Sequence, residues 1–228
     1  MSIDLAQYDT AKVFDYSGKN QKNIAVYCWS RTERGTEWWA EAEKLGKLAA
    51  ESGYSVITGG YCGSMEAVSE GARNVVDTLA AAAAESGESS SQEKRPEVIG
   101  IVVNGQFPDR ALSGNKFLTQ CVDAPNFPRR VEILASQSRY FVILPGTLGT
   151  LQELSTVWTL SYIHPSGLPR PVILAFRDPW EKVVKSLTDL LKLPDSVSSL
   201  VQFVDDAEDC MRVILADAAA NGAAAPPS

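Results

Sequence analysis

Two glycine-bearing segments contain the residue types in this sequence that could do chemistry. One reads TGGYCGSM at residues 58–65, and the other reads PGTLGTLQE at residues 145–153. Glycine lets the backbone approach a ligand closely, and the free N–H groups that open a following helix favour a phosphate. The pair predicts a site for a small phosphorylated ligand, although each segment alone could simply make a tight strand-to-helix turn.

The second glycine segment ends on a glutamate, Glu153, whose spacing from Thr150 has two interpretations. Thr150 and Glu153 are separated as in a capping box, in which Glu153 would reach back to the Thr150 N–H. The helix dipole is then expected to keep the carboxylate ionised. A carboxylate held there would also face any ligand bound by the same loop, so the capping role and a role at the site can coexist.

Two adjacent arginines, Arg129 and Arg130, lie on the predicted helix that precedes the second glycine segment. Helical geometry directs their side chains to different faces of that helix. At about 100° per residue, one stripe of this helix contains Phe127, Val131, Leu134, Ala135 and Ser138. Arg130 falls on the edge of the stripe, whereas Arg129 points nearly opposite. Arg130 is therefore the better candidate to be packed in place and directed at a site, the alternative being a solvated or salt-bridged arginine.

The elements that must position these residues follow a regular alternation. Runs predicted as strands are 24–28, 54–58, 98–103, 117–122, 140–144 and 171–176. Helical patterns lie between and after them, among them 36–52, 150–163, 180–191 and 207–218. Such alternation predicts an α/β fold, a Rossmann-like doubly wound three-layer sandwich with a mostly parallel central sheet. Both glycine segments then lie at the carboxyl ends of strands, where these folds bind ligands.

The length of 228 residues fits one large domain. We expect an N-terminal extension at 1–20, a single domain at 21–220 and a disordered tail at 221–228. Within the domain, the alanine- and serine-rich stretch at about 80–96 is predicted to be a helix extension that frays into a flexible insert.

Charge and composition restrict the partners. The net charge of −7 argues against a nucleic acid, because proteins that bind phosphate backbones concentrate basic residues. No apolar run approaches the length of a membrane span, and no secretory signal is visible. The four cysteines and one histidine are too scattered to predict a metal site. We therefore expect a cytoplasmic protein with reduced thiols.

The two segments, with their surroundings, resemble the LONELY GUY (LOG) family. The resemblance rests on GGYCGSMEAVSEGA at 59–72 and NFPRRVEILASQSRYFVILPGTLGTLQEL at 126–154. The family pattern is P-G-G-x-G-T-x-x-E with an arginine one helix upstream. Its characterised members, often labelled possible lysine decarboxylases, are dimeric phosphoribohydrolases that split cytokinin riboside 5′-monophosphates into free base and ribose 5-phosphate.

The resemblance implies roles for individual residues. Arg130 and Glu153 match the catalytic arginine and glutamate of the family. The residues implied to contact substrate or phosphate are Gly59, Gly60, Gly63, Met65, Gly146, Thr147, Gly149 and Thr150. The resemblance further implies a nucleotide substrate, a homodimer, and no metal or organic cofactor.

Three departures from the family pattern bear on these roles. Thr147 replaces the second glycine of the PGG triplet, at a cost of ~1 kcal/mol or more if that position needs a positive φ angle. Tyr61 replaces the third glycine of GGG, and residues 127–131 lack an acidic neighbour of the arginine. The main alternative is thus a non-catalytic carrier of the same fold, such as the molybdenum cofactor carrier proteins. Lysine decarboxylation is disfavoured because no lysine lies at a recognisable pyridoxal-phosphate site.

Overall fold

A computed structural model describes residues 22–86, 95–103, 114–165 and 169–222 of the chain. The strands are β1 (Asn23–Tyr27), β2 (Ser55–Thr58), β3 (Val98–Val102), β4 (Gln120–Asp123), β5 (Tyr140–Ile143), β6 (Val172–Phe176) and β7 (Val201–Val204). The helices are α1 (Glu37–Glu51), α2 (Ser64–Ser86), α3 (Phe127–Ser136), α4 (Leu148–Tyr162), α5 (Arg177–Leu191), α6 (Asp195–Ser198) and α7 (Ala207–Gly222). Within these residues, the strands form one sheet in the order β4-β3-β2-β1-β5-β6-β7.

The sheet lies between two layers of helices because its central strands are apolar on both faces. In β1, Ile24 and Val26 pack into a core shared with α1, α2 and α7. Ala25 and Tyr27 face the opposite core, shared with α3, α4 and α5. Every neighbouring pair of strands is parallel. The prediction of a Rossmann-like three-layer α/β sandwich is confirmed.

The order of the strands reverses between β1 and β5. The chain builds outward from β1 to β4 and then returns to place β5 on the other side of β1. The last residues of the two strands, Tyr27 and Ile143, are register partners, so the loops that follow them leave the sheet side by side. Parallel sheets bind ligands at such a reversal, outside the carboxyl ends of the strands.

The observed strands differ from the predicted ones in two places. The fourth strand was placed at 117–122 but spans Gln120–Asp123. The reason is that Asn115 ties the preceding residues to the turn after β2: its N–H donates to the Gly60 carbonyl at 2.7 Å, and its side-chain amide donates to the Tyr61 carbonyl at 3.1 Å. Strand β7 was not predicted, because a four-residue strand at the edge of a sheet leaves little periodic signal.

Parts of the predicted domain organisation lie outside the described residues. Helix α2 continues through Ser86, so the first residues of the insert predicted at about 80–96 are helical, while residues 87–94 are not described. The predicted extension at 1–20 and residues 223–228 of the predicted tail are likewise outside the described ranges. In the ranges that are described, no helix has the length and apolar content needed to cross a membrane.

Candidate active site

A cleft of about 270 Å³ opens beside the carboxyl ends of β1 and β5. Seven of the ten predicted site residues line it, namely Gly59, Met65, Arg130, Thr147, Gly149, Thr150 and Glu153. Gly60, Gly63 and Gly146 are not among the lining residues and shape the turns behind it. The structure therefore brings both glycine segments and both charged candidates to one place.

Arg130 is held rigidly at the floor of the cleft. Only 6% of its surface is exposed. Its Nε donates to the Ile101 carbonyl at 2.7 Å, and Nη2 donates to the Gly59 carbonyl at 3.2 Å. These two backbone anchors, one in β3 and one directly after β2, fix the plane of the guanidinium. The prediction that Arg130, and not Arg129, packs in place is confirmed, since Arg129 lies at the surface in an ion pair with Glu132.

Glu153 faces Arg130 and does not cap its helix. Helix α4 begins at Leu148 with Thr147 as the N-cap residue, so Thr150 already lies within the first turn. The predicted capping box was therefore wrong, because the helix starts earlier than the spacing suggested. Glu153 lies in the second turn, where its Oε1 accepts a hydrogen bond from Arg130 Nη1 at 3.5 Å.

The protonation of Glu153 is set by its surroundings. Burial raises the pKa of Glu153 to about 7, while the positive charge of Arg130 and its hydrogen bond act in the opposite direction. The expectation that the helix dipole keeps this carboxylate ionised missed the desolvation of a nearly buried side chain. A carboxyl group of this kind can accept or release a proton close to neutral pH.

The loop between β5 and α4 is open on its outer side and free of strain. Thr147 has a φ angle of −122° and a ψ angle of −152°, an extended conformation that any residue adopts. The cost considered for replacing a glycine at this position therefore does not arise. A Cβ at Gly146 would collide with the side chain of Thr150, whereas a Cβ at Gly149 would meet nothing within 4 Å. The space beside Gly149 is open to a ligand at the start of α4.

The segment after β2 shapes the opposite wall around Arg130. A Cβ on Gly59 would collide with Arg130 Nη2, so a glycine is required for the arginine to reach its anchor. Tyr61, which replaces the family glycine, is buried. The Tyr61 hydroxyl accepts a hydrogen bond from the Val103 N–H at 2.9 Å, and its ring centroid lies 5.6 Å from Arg130 Cζ. Tyr61 thus fills space beside the guanidinium.

Several residues of the cleft were missed by sequence reasoning. Cys28, Trp29 and Ser30 follow β1, and Phe127 opens α3. The rule that ligands bind at a reversal of strand order would have pointed to the segment after β1, but the strand order is not legible in the sequence. Burial raises the pKa of the Cys28 thiol, and the nearby Glu153 raises it further, so this thiol is not an activated nucleophile.

The residues that line the cleft do not suit pyridoxal-phosphate chemistry. That cofactor forms a Schiff base with a lysine, and none of the described residues lining this cleft is a lysine. In the ranges that the structure describes, no group of three histidine, cysteine, aspartate or glutamate side chains could hold a metal ion.

Comparison with known proteins identifies related sequences. The sequence model of the family described as "Possible lysine decarboxylase" matches residues 76–214. A cytokinin riboside 5′-monophosphate phosphoribohydrolase of Rhodococcoides fascians is 28% identical over 151 residues, which are 65% of each protein. A probable cytokinin riboside 5′-monophosphate phosphoribohydrolase, LOGL5, of Oryza sativa subsp. japonica is 29% identical over 151 residues. That match covers 64% of this chain and 53% of the rice protein, so in both cases the chain spans less than two thirds of its relative.

Solved structures share the fold at lower identity. The molybdenum cofactor binding protein of Rippkaea orientalis has a TM-score of 0.59 and 19% identity, covering 86% of this chain and 96% of that one. The molybdenum cofactor carrier protein of Chlamydomonas reinhardtii has a TM-score of 0.58 and 17% identity, covering 85% and 96%. At these identities the likeness establishes the shared architecture alone.

Proposed function

The chain belongs to the LONELY GUY family, whose sequence model is described as possible lysine decarboxylase, and from that premise we propose that it is a phosphoribohydrolase. Its substrate is a nucleoside 5′-monophosphate, which it splits by hydrolysis into a free base and ribose 5-phosphate. The observation that carries the proposal is the buried pair of Arg130 and Glu153 at the floor of the cleft. The open start of α4 beside this pair supplies the phosphate site.

The proposed chemistry depends on two parts of the cleft, the start of α4, which binds the phosphate, and Glu153, which faces the ribose. The backbone N–H of Gly149, an exposed residue, and the hydroxyl of Thr150 bind the 5′-phosphate, aided by the dipole of α4. This places the ribose next to Glu153. As the bond from C1′ to the base breaks, its electron pair leaves with the base and positive charge develops on the ribose, which an ionised Glu153 stabilises.

Water completes the reaction. Its oxygen bonds to C1′ while Glu153 takes a proton, and that proton then passes to the departing base nitrogen, so that atoms and charge balance. A pKa of about 7 suits Glu153 to both transfers. Arg130, anchored on two carbonyl groups, holds Glu153 in place and offers positive charge as the base leaves.

The names of the curated relatives favour a cytokinin riboside monophosphate as the substrate, and AMP is the simplest substrate of the same type. We also propose that the protein acts as a homodimer in the cytoplasm. The four cysteines, Cys28, Cys62, Cys121 and Cys210, are free, as suits a reducing compartment.

A ribose 5-phosphate release assay tests the proposal. The substrates are AMP and isopentenyladenosine monophosphate, and wild type is compared with Glu153→Gln and Arg130→Ala. We expect turnover by wild type and a loss of at least ~100-fold in each variant, the usual effect of removing a group that stabilises developing charge. Arg129→Ala is the matched control and should retain activity, because Arg129 lies at the surface outside the cleft.

The main alternative is a carrier that binds a phosphorylated ligand without cleaving it. This alternative is considered because the chain shares its architecture with proteins that bind or carry the molybdenum cofactor. Tight binding of AMP or of a phosphorylated pterin, with no ribose 5-phosphate released from either substrate, would favour the carrier and exclude the hydrolase.

A further inference from the structure

We infer that Trp29 is a specificity-determining residue that stacks on the planar base of the nucleotide. This inference rests on the proposed function, since it assigns the base end of the same ligand. Trp29 lines the cleft, yet 40% of its surface is exposed. A large aromatic side chain exposed at the mouth of a cleft that also holds charged groups is a feature that such sites use to hold aromatic groups.

The burial of the residues that line the cleft indicates which part of the nucleotide lies at its floor and which part lies at its mouth. Arg130 and Glu153 are buried, with 6% and 9% of their surfaces exposed, and form the floor. Trp29 is at the mouth on the β1 side, and Gly149 is exposed on the β5 side. With the phosphate at Gly149 and the ribose over Glu153, a base that extends toward the β1 side of the mouth meets Trp29.

The backbone of Trp29 is fixed although its side chain is exposed. Its carbonyl accepts a hydrogen bond from the Ser64 N–H at 2.9 Å. Gly63, with a φ angle of +70°, allows this approach, since a Cβ there would lie 2.5 Å from the Trp29 carbonyl oxygen. The next carbonyl, of Ser30, accepts a hydrogen bond from the Cys62 thiol at 3.1 Å. Because this backbone is already fixed, only the rotation of the indole has to be ordered when a ligand binds.

A second aromatic side chain lies on the α3 side of the cleft. The Phe127 ring centroid is 6.0 Å from Arg130 Cζ, which places this ring beside the buried charge. The lining thus combines an anion-binding end with aromatic surface. This combination fits a phosphorylated ligand that also carries a planar heteroaromatic group.

Calorimetric titration of AMP and of ribose 5-phosphate tests the inference. The titrations use a Glu153→Gln background, in which the proposed hydrolysis is blocked. We expect Trp29→Ala to weaken AMP binding by ~5- to 150-fold, the equivalent of the ~1–3 kcal/mol that stacking of one base contributes. Ribose 5-phosphate, which lacks the base, should bind with unchanged affinity, and Trp29→Phe should restore most of the AMP affinity.

Leu190→Ala is the control, because Leu190 is an exposed apolar residue on α5 and is not among the residues that line the cleft. Equal weakening of both ligands by Trp29→Ala, or no effect on AMP, would overturn the stacking role and leave the proposed function intact. Failure of Glu153→Gln to bind AMP, together with failure of wild type to bind ribose 5-phosphate, would overturn both proposals. Loss of AMP binding that Trp29→Phe does not restore would also contradict stacking.

Discussion

Arg130 Nη1 lies 3.5 Å from Glu153 Oε1 at the floor of the cleft. The two residues belong to different helices, α3 and α4, and both are buried. Because the arginine is anchored on the carbonyl groups of Ile101 and Gly59, its position does not depend on the glutamate. The carboxyl group is therefore the adjustable partner, and its protonation decides the charge of the site.

Activity is predicted to rise with pH through the neutral range. Burial raises the pKa of Glu153 to about 7, so the ionised form that the proposed mechanism needs is depleted at lower pH. The kcat/KM profile should increase tenfold per pH unit below about pH 7 and level off above it. Titration of the glutamate side-chain carbons by ¹³C NMR, with Glu153 assigned through its loss in Glu153→Gln, provides an independent measurement. A plateau already reached at pH 5 would contradict this prediction.

Replacement of Arg130 is predicted to cost stability as well as activity. Arg130→Ala removes the donors to two buried carbonyl oxygens, each worth ~1–3 kcal/mol when left unsatisfied. We expect urea unfolding to show a loss of ~2–6 kcal/mol on that basis. Arg129→Ala, which removes a partly exposed ion pair with Glu132, should change the free energy of unfolding by ~0–1 kcal/mol. Similar losses in both variants would be inconsistent with the anchored arginine.

Two glycine-to-alanine variants are predicted to behave in opposite ways. In Gly59→Ala the new methyl group collides with Arg130 Nη2, so stability should fall by ~1–3 kcal/mol and turnover should fall with it. In Gly149→Ala the methyl group meets no protein atom. Since alanine favours a helix over glycine by ~1 kcal/mol, this variant should be as stable as wild type or more so.

Gly149→Ala should nevertheless bind phosphate poorly, because the methyl group occupies the space proposed for the ligand. Inhibition by ribose 5-phosphate and the midpoint of thermal unfolding separate the two effects. Unchanged inhibition in Gly149→Ala would remove Gly149 from the phosphate site.

The homodimer is predicted to form through the C-terminal end of α4. Tyr162 and Ile163 are 58% and 61% exposed there, and the family resemblance places this region at a subunit interface. Sedimentation at micromolar concentration should give a dimer for wild type and a monomer for Tyr162→Glu. Leu190→Glu, at a residue 79% exposed on α5, is the control and should remain dimeric. A monomeric wild type would exclude the dimer.

The sequence by itself determined the architecture and most of the cleft. Alternating periodicity predicted the βαβ units, and the glycine segments marked two of the loops at the carboxyl ends of the strands. Helical geometry distinguished Arg130 from Arg129, because the side chains of successive helical residues point to different faces of the helix. These inferences succeeded because each depends on residues close together in the chain.

The tertiary structure alone decided which residues meet. Placement of β5 beside β1 added Trp29 to the cleft, and the start of α4 at Leu148 directed Glu153 to Arg130 instead of to its own helix terminus. The raised pKa of Glu153 likewise follows from burial by distant segments. Strand order and desolvation depend on long-range packing, and no local pattern of residues encodes them.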